Sequence, residues 1–298
     1  MTQPRWGRAP STADDRQPDA AAWAYMVRCG DGSLYSGWTN DLARRLKAHR
    51  TGRGARYTRM RGEGGVCLAY AQRCPDKSAA LRREAALKRL SKAEKEALAA
   101  AWAEEHRITI RMAVPEDAAR VAALYNWYVT HSTATFQYEE STVESYRDNI
   151  AAVRRVAPFL LAETPDGTLC GFACAHPWHD RGAFAWDVET TVYCAPDCVG
   201  QGVGGRLYTV LLALLRQQGY CNALALVAHP NPDSEALHRA LGFRKVGTEP
   251  RTGYKFGRWL DLQTWVLPLR TGTQPPEPVR LTVGEEELRR VLEETKSI

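Results

Sequence analysis

The sequence predicts a two-domain chain of the α/β (α+β) class, and three observations lead there. Charge is uneven: residues 1–100 carry twenty Lys/Arg against ten Asp/Glu, and residues 101–298 carry twenty against twenty-four. Short strand-like runs alternate with amphipathic helical patterns through most of the chain, and a glycine-rich turn at 199–205 separates a strand from a long helix. At 298 residues there is room for two domains of ordinary size. A basic third joined to a mildly acidic remainder implies different partners, with a polyanion for the first. No apolar run approaches the length that crosses a bilayer, so no membrane partner is expected. Residues 1–21 are polar and read as a disordered tail rather than a signal peptide, which points to the cytoplasm and to eight reduced cysteines.

The first domain is expected over 22–103. WAYMVRC (23–29) and residues 34–38 are strand-like runs joined by Asp31-Gly32, a hairpin signal. Asn40 or Thr39 is expected to cap a helix carrying Leu42 and Leu46. A basic glycine-rich loop, TGRGARYTRMRGEGG, leads to the strand VCLAYA. Ser78 then caps a long helix that runs through LRREAALKRL past Ala101 and marks the boundary. Tyr25 and Tyr35, on adjacent strands, can face one patch. Arg45 and His49, four apart, share a helix face. Glu84 flanks the apolar stripe of the later helix. Two phenols, a guanidinium, an imidazole and a carboxylate suit phosphodiester hydrolysis: the carboxylate holds a divalent metal, the guanidinium neutralises the phosphate, and a phenol or imidazole takes the proton of the attacking water. Arg44 through Arg61 holds eight positive residues and no negative one, a stripe that can follow a nucleic-acid backbone.

The second domain is expected over 106–270. ITIRM, a Pro at a helix start and an amphipathic helix come first; FLLAE and TLCGFACA then flank a Pro-Asp-Gly turn. AWDVETTVY is the next strand. After it the glycine loop opens a helix with Val203, Leu207, Val210, Leu211 and Leu214 on one face, stopped by Gly219. A strand (ALALVA), a short helix and two final strands complete the unit. Residues 271–298 read as a Pro-rich linker and a charged helical tail without an assigned task. Glycines that let backbone N–H groups approach a ligand, at a helix N-terminus, make a pyrophosphate cradle. Gly200-x-Gly202-x-x-Gly205 matches a dinucleotide fingerprint in letters, but ALALVA ends without a ribose-binding acid, and the GK[ST] of a P-loop is absent. Cys170-x3-Cys174 and Cys194-x3-Cys198 fall in or beside strands and read as packed thiols rather than a zinc knuckle.

Residues 22–100, through LYSG, DLARRLKAH, GARYT and ALRREAALKRL, resemble the GIY-YIG nuclease superfamily. Its first motif is matched loosely by Trp23-Ala24-Tyr25, without the Gly and Ile, and its second by Tyr35-Ser36-Gly37. The resemblance implies a small α/β nuclease fold acting on DNA with Mg²⁺ or Mn²⁺. Tyr25, Tyr35, Arg45 and His49 would be catalytic and Glu84 the metal ligand. A catalytically silent module that docks nucleic acid and targets acetyl transfer to a macromolecular amine is the alternative.

Residues 108–269 resemble the GNAT acetyltransferases, and among them the phosphinothricin acetyltransferase family, through HSTATFQYEE, PWHDR, VETTVY, QGVGGRLYT, HPNPDS, ALHRALGF and GYKFGRWLD. This implies a mixed, mostly antiparallel sheet flanked by helices, a small amine acceptor and a homodimer through this domain. Acetyl-CoA would be held by Val192, Tyr193, Gly200, Gln201, Gly202, Val203, Gly204, Gly205 and Asn231. Glu189 would be the general base and His238 would stand where many relatives place a tyrosine acid. The acceptor would meet Phe136, Arg181, Tyr193 and Lys255, with His179 and Phe256 at two positions where the family keeps lysine and histidine.

Overall fold

Alternation of side chains along short strands sets the layers of the first unit. In the computed structural model, which describes residues 22–62, 65–199, 201–271, 277–281 and 283–295, the chain divides between Ala103 and Glu104 into two compact units. The tail read at 1–21 lies outside the described residues. β1 (Ala22–Cys29) and β2 (Leu34–Thr39) form an antiparallel hairpin, closed by Gly32 at φ +80° and by Asp31 accepting from the Ser33 amide and hydroxyl. Next come α1 (Leu42–Arg50), α2 (Arg56–Arg61) and β3 (Val66–Cys74), which pairs with the other side of β1. α3 (Lys77–Arg89) and α4 (Lys92–Glu105) follow. Tyr25 and Val27 face Leu46 and Val66 on one side of this sheet; Ala24 and Met26 face Ala80, Leu87 and Ala99 on the other.

Three helix boundaries differ from expectation. Asp41, not Asn40 or Thr39, caps α1 by accepting from the Arg44 amide, and the Thr39 hydroxyl supports Asp41 instead. Asp76, not Ser78, caps α3, because its carboxylate reaches the Ala79 amide. The long helix is two helices: Ser91 and Glu94 form a reciprocal capping box that ends α3 and starts α4.

The second unit carries β4 (Thr109–Met112), α5 (Ala118–His131), α6 (Val143–Val153), β5 (Phe159–Glu163), β6 (Leu169–Pro177), β7 (Asp187–Cys194) and α7 (Val203–Gln218). After these come β8 (Asn222–His229), α8 (Pro232–Ala240), β9 (Arg244–Lys255), β10 (Arg258–Pro268) and α9 (Glu285–Glu294). The sheet order is β4-β5-β6-β7-β8-β10-β9, antiparallel except between β7 and β8. Val121, Ile150 and Val153 from α5 and α6 cover one face through Phe159, Leu161 and Phe172. Leu207, Leu211 and Leu215 of α7 cover the other through Leu160, Ala173 and Val188. This is the mixed, mostly antiparallel α/β sheet expected.

The segment read as linker and tail belongs to this unit. Leu288 and Val291 of α9 are buried in the α7 core, the Trp186 indole donates to Glu277 O, and Gln218 and Arg280 exchange hydrogen bonds. The charge seen in sequence is the outer face of an amphipathic helix. Among the described residues no helix is long and apolar enough to cross a membrane.

Candidate functional sites

In the first unit, α1 lies over the β1–β2 face that carries the two tyrosines. Register places Tyr25 opposite Gly37 and Tyr35 opposite Val27, so both rings emerge on one side. Tyr25 is fully buried, and its hydroxyl lies 2.8 Å from His49 Nε2 and receives Arg45 Nε at 2.9 Å. The Tyr25 ring needs Gly37: a Cβ there would lie 2.6 Å from its hydroxyl oxygen. His49 is buried, with Nδ1 2.7 Å from Thr58 Oγ1; burial, aided by the Arg45 charge, pushes its pKa down to about 4. Burial raises Tyr25 despite Arg45 pulling it down, and the Glu84 charge adds to the rise. Tyr35 is half-buried, 5.6 Å from the His49 ring and stacked on Tyr57. The Glu84 side chain is mostly buried and ion-paired to Lys88 at 2.9 Å. Tyr25, Tyr35, Arg45 and His49 therefore lie in one cluster, while Glu84 on α3 reaches it only through the effect of its charge on Tyr25. Beside it Arg53, Arg56 and Arg59 are exposed.

In the second unit the sheet splits beside a carboxylate. Parallel pairing of β7 with β8 lasts for Asp187, Val188 and Glu189 only. Beyond Glu189, β7 stays with β6 up to Cys194 while β8 stays with β10 up to His229, so the strands part. Thr190 Oγ1, bonded to Leu224 O at 2.8 Å, closes the root of that opening. Val188 and Val192 point into the α7 core; Glu189 and Tyr193 point the other way, toward α5 and α6. Burial raises the Glu189 pKa. Tyr193 packs with Tyr125 and Tyr128, whose hydroxyl holds Cys194 O at 2.7 Å. α7 follows Gly202, which lies at φ +86° with open space where a Cβ would be and no side-chain cap, and the Gly204 N–H is turned to the Cys194 sulfur. Val203 turns its side chain into the core, and Gln201 is tied back to Asp197 O at 2.6 Å. A Cβ on Gly204 would press on Cys194 Sγ at 3.2 Å and meet Leu237 of α8 at ordinary contact distance. Gly200 lies outside the described residues.

Residues 110–265 match the family described as acetyltransferase (GNAT) domain, more than half of the chain. The chain belongs to the GNAT acetyltransferase family. Residues 21–97 match the GIY-YIG catalytic domain, so a GIY-YIG domain precedes the GNAT domain. Phosphinothricin N-acetyltransferase of Streptomyces viridochromogenes is 37% identical over 177 residues, 59% of this chain and 96% of that protein. An L-methionine sulfoximine/L-methionine sulfone acetyltransferase of Pseudomonas paraeruginosa is 35% identical over 52% of this chain and 90% of its own. The crystal structure of a GNAT superfamily phosphinothricin acetyltransferase from Sinorhizobium meliloti, in complex with AcCoA, superposes with a TM-score of 0.56 at 31% identity, covering 58% of this chain and 95% of that one.

Within the GNAT domain, the end of β7, the start of α7 and the α8 side chain Leu237 converge. Other expected residues are differently placed. His238 is buried among Tyr208, Phe243 and Trp265; Nδ1 donates to Ser234 O at 2.8 Å and Nε2 meets the Tyr208 hydroxyl at 3.0 Å. With both nitrogens engaged it presents no proton to a cleft, and the acid reading of His238 is set aside. Lys255 is buried too, its ammonium on Thr135 O at 2.8 Å, and Phe136 lies flat against Gly253. Both brace the end of β9. Asn231 uses its side chain to cap α8. Arg181 is exposed and has no side-chain partner among the described residues, while His179 packs between Trp178 and Phe184. The sequence reading missed the hydroxyls of Thr58, Thr190 and Tyr208, whose partners His49, Leu224 and His238 lie 9, 34 and 30 positions away. All eight cysteines are free thiols, and among the described residues no cluster of three or more His, Cys, Asp or Glu could hold a metal ion.

Proposed function

We propose that the GNAT domain acetylates the amine of a small amino acid-like acceptor from acetyl-CoA, with Glu189 as general base. The observation that carries this is the opening of the sheet immediately beyond a carboxylate whose pKa is raised by burial. Acetyl-CoA fits the residues present: the unpaired edge of β7 at Val192 and Tyr193 offers backbone groups, and the glycine-rich start of α7, without a side-chain cap, leaves open space at Gly202 for a phosphate to approach the helix N-terminus. Once bound it supplies an activated acetyl thioester. Glu189 takes a proton from the ammonium, and the Tyr125–Tyr193 wall excludes water around the freed amine. Arg181 is free to hold an acidic group of the acceptor by a bidentate contact. The relatives named for phosphinothricin and methionine sulfone support that acceptor class. Free-thiol release by the full chain with acetyl-CoA, on phosphinothricin, methionine sulfone and an amine lacking the acid, is the test; turnover on the first two alone is expected, and turnover on none would remove this acceptor class.

For the GIY-YIG domain we infer metal-dependent cutting of DNA. Support comes from the Tyr25–His49–Arg45 cluster with Glu84 bearing on it. A single carboxylate is enough for Mg²⁺ or Mn²⁺ when phosphate oxygens and water complete the shell, although the ion must displace Lys88. Such an ion would neutralise charge on the phosphate. Branched, single- and double-stranded DNA with either ion should be cleaved, and Glu84→Gln should end cleavage but keep binding. Binding without cleavage by the wild type would favour the docking alternative.

A further inference from the structure

His176 is the direct cross-strand partner of Glu189. Opposed residues of an antiparallel pair point to the same face with Cβ atoms about 5 Å apart, so an imidazole stands beside the carboxylate on the face turned toward α5 and α6. Both side chains are half-buried, and His176 Nε2 lies 3.5 Å from Cys174 Sγ on the same strand.

Moving an acetyl group from a thioester to an ammonium leaves one proton over. Of the three hydrogens on the nitrogen, one stays on the amide, one goes to the departing sulfur, and one must leave the site. The C–S bond breaks as the N–C bond forms, and no electron is gained or lost. A base that keeps the third proton is spent after one turnover, so the carboxylate needs an acceptor.

The neighbours of Glu189 differ in their ability to serve. Burial pushes the Cys174 thiol up to about 12, with the Glu189 charge adding to it. Burial likewise raises Tyr146 on α6, Tyr193 on β7 and Tyr208 on α7, so all four hold their protons at neutral pH. Asp187, two residues before Glu189, is bonded to Asn222 Nδ2 at 2.8 Å, toward β8. Burial lowers His176 and so favours its neutral ring, whose contact with the protonated Cys174 thiol leaves it still able to take up a proton.

We propose that His176 receives the proton that Glu189 takes from the amine and passes it to water, making the two a relay across β6 and β7. This rests on Glu189 being the base. His176 sits at the solvent end of its strand, next to exposed Pro177, which gives the proton an exit.

The test uses the full chain with acetyl-CoA and methionine sulfone. His176→Ala should lower kcat at pH 7 by about tenfold or more, leave KM for acetyl-CoA unchanged, and be rescued several-fold by added imidazole. A purely structural histidine would give a loss that imidazole does not restore; that outcome, or unchanged kcat, overturns the relay. A second measurement needs no turnover: NMR titration of His176 in the wild type and in Glu189→Gln. Removing the carboxylate charge should lower the His176 pKa by about half a unit or more, and an unmoved pKa overturns the proposal. The two readings fail separately, since full activity in Glu189→Gln defeats the base assignment, whereas absent turnover on every acceptor defeats only the acceptor class and leaves the titration to decide on His176.

Discussion

Thr58 decides which nitrogen of His49 carries a proton. Its hydroxyl donates its single hydrogen to Ala55 O at 3.0 Å, so toward His49 Nδ1, 2.7 Å away, it can only accept. With the hydroxyl hydrogen on Ala55 O, Nδ1 is assigned as the protonated nitrogen. Nε2 is left to accept the phenol proton of Tyr25, while Arg45 donates to the same phenol oxygen. The result is a phenol aimed at a neutral imidazole, with a cation beside the oxygen where negative charge would develop.

Replacing Thr58 by Val keeps the volume and removes the acceptor. A buried Nδ1–H without a partner costs about 1–3 kcal/mol, and the ring should shift toward the other tautomer. Long-range ¹H–¹⁵N spectra of His49 should show that shift in Thr58→Val and not in Thr58→Ser. An unchanged tautomer in the valine variant would remove Thr58 from this role.

Gly37 gives a second, independent handle on the same cluster. A methyl group at residue 37 would sit 2.6 Å from the Tyr25 hydroxyl oxygen and 2.7 Å from Cζ, far inside contact distance. Tyr25 is fully buried and cannot swing away without moving Leu46 and Val66. Gly37→Ala should cost about 1–3 kcal/mol and lower DNA cleavage more than DNA binding. A thermal midpoint and cleavage rate equal to wild type would mean that the ring has room to move.

What could be read in the sequence was whatever repeats locally. The period-2 runs of β1 and β2, the α7 stripe and Gly219 at its end come from contacts within a few residues, and the structure has them where they were expected. Helix starts were misplaced because Thr39, Asn40 and Asp41, or Asp76 and Ser78, are all competent caps, and only the backbone geometry chooses among them. The α9 tail looked unattached because two buried side chains, Leu288 and Val291, give a weak apolar signal among many charges. Burial of His238 and Lys255 was illegible for another reason: each is a polar residue whose partner, Tyr208 or Thr135, lies 30 or 120 positions away. The opposition of His176 and Glu189 needs the register of β6 on β7, which the loop between them conceals.

The start of the GNAT domain carries a compact ion network that predicts its acid stability. Asp117 is buried, which by itself would raise its pKa, but Arg111, Arg120 and the Val114 amide together hold it well below the usual carboxylate range. Its folded pKa is lower than its unfolded one, so its contribution is fully present above the unfolded value near 4 and is lost as pH falls through the folded value. Asp117→Asn should lower stability at pH 7 by ~3 kcal/mol, with the gap to wild type closing toward pH 2. Denaturant titrations at several pH values check this; a gap that does not change with pH would show that packing, not charge, is lost.

Arg181 predicts a split between acceptors. Its guanidinium is exposed and has no partner among the described residues, so removing it disturbs no hydrogen bond of the fold. Arg181→Ala should raise KM for phosphinothricin and methionine sulfone by about tenfold and leave an acid-free amine unaffected. Arg181→Lys should recover only part, since the bidentate fork is lost. Equal losses on all acceptors would assign Arg181 a structural part.

Glu189 joins stability to activity, and the two should move in opposite directions. Burial raises its pKa, so the folded state binds a proton more readily than the unfolded chain does. The sign follows: ionising Glu189 in place costs stability, and that cost grows as pH rises from the unfolded carboxylate value through the raised folded one. Glu189→Gln removes the buried charge while keeping the shape. At pH 7 to 8 the variant should melt at or above the wild-type temperature, and the advantage should shrink as pH falls to 4. Its kcat should drop by ~10²–10⁴-fold, the range for a positioned proton acceptor, with acetyl-CoA affinity by calorimetry unchanged. The wild-type kcat should fall on the acid side as Glu189 protonates, above the ordinary carboxylate range, and this limb should be missing from the residual activity of the variant. A variant that loses stability along with activity at neutral pH would mean that the carboxylate makes a stabilising contact in the fold, and its low activity would then say nothing for a base.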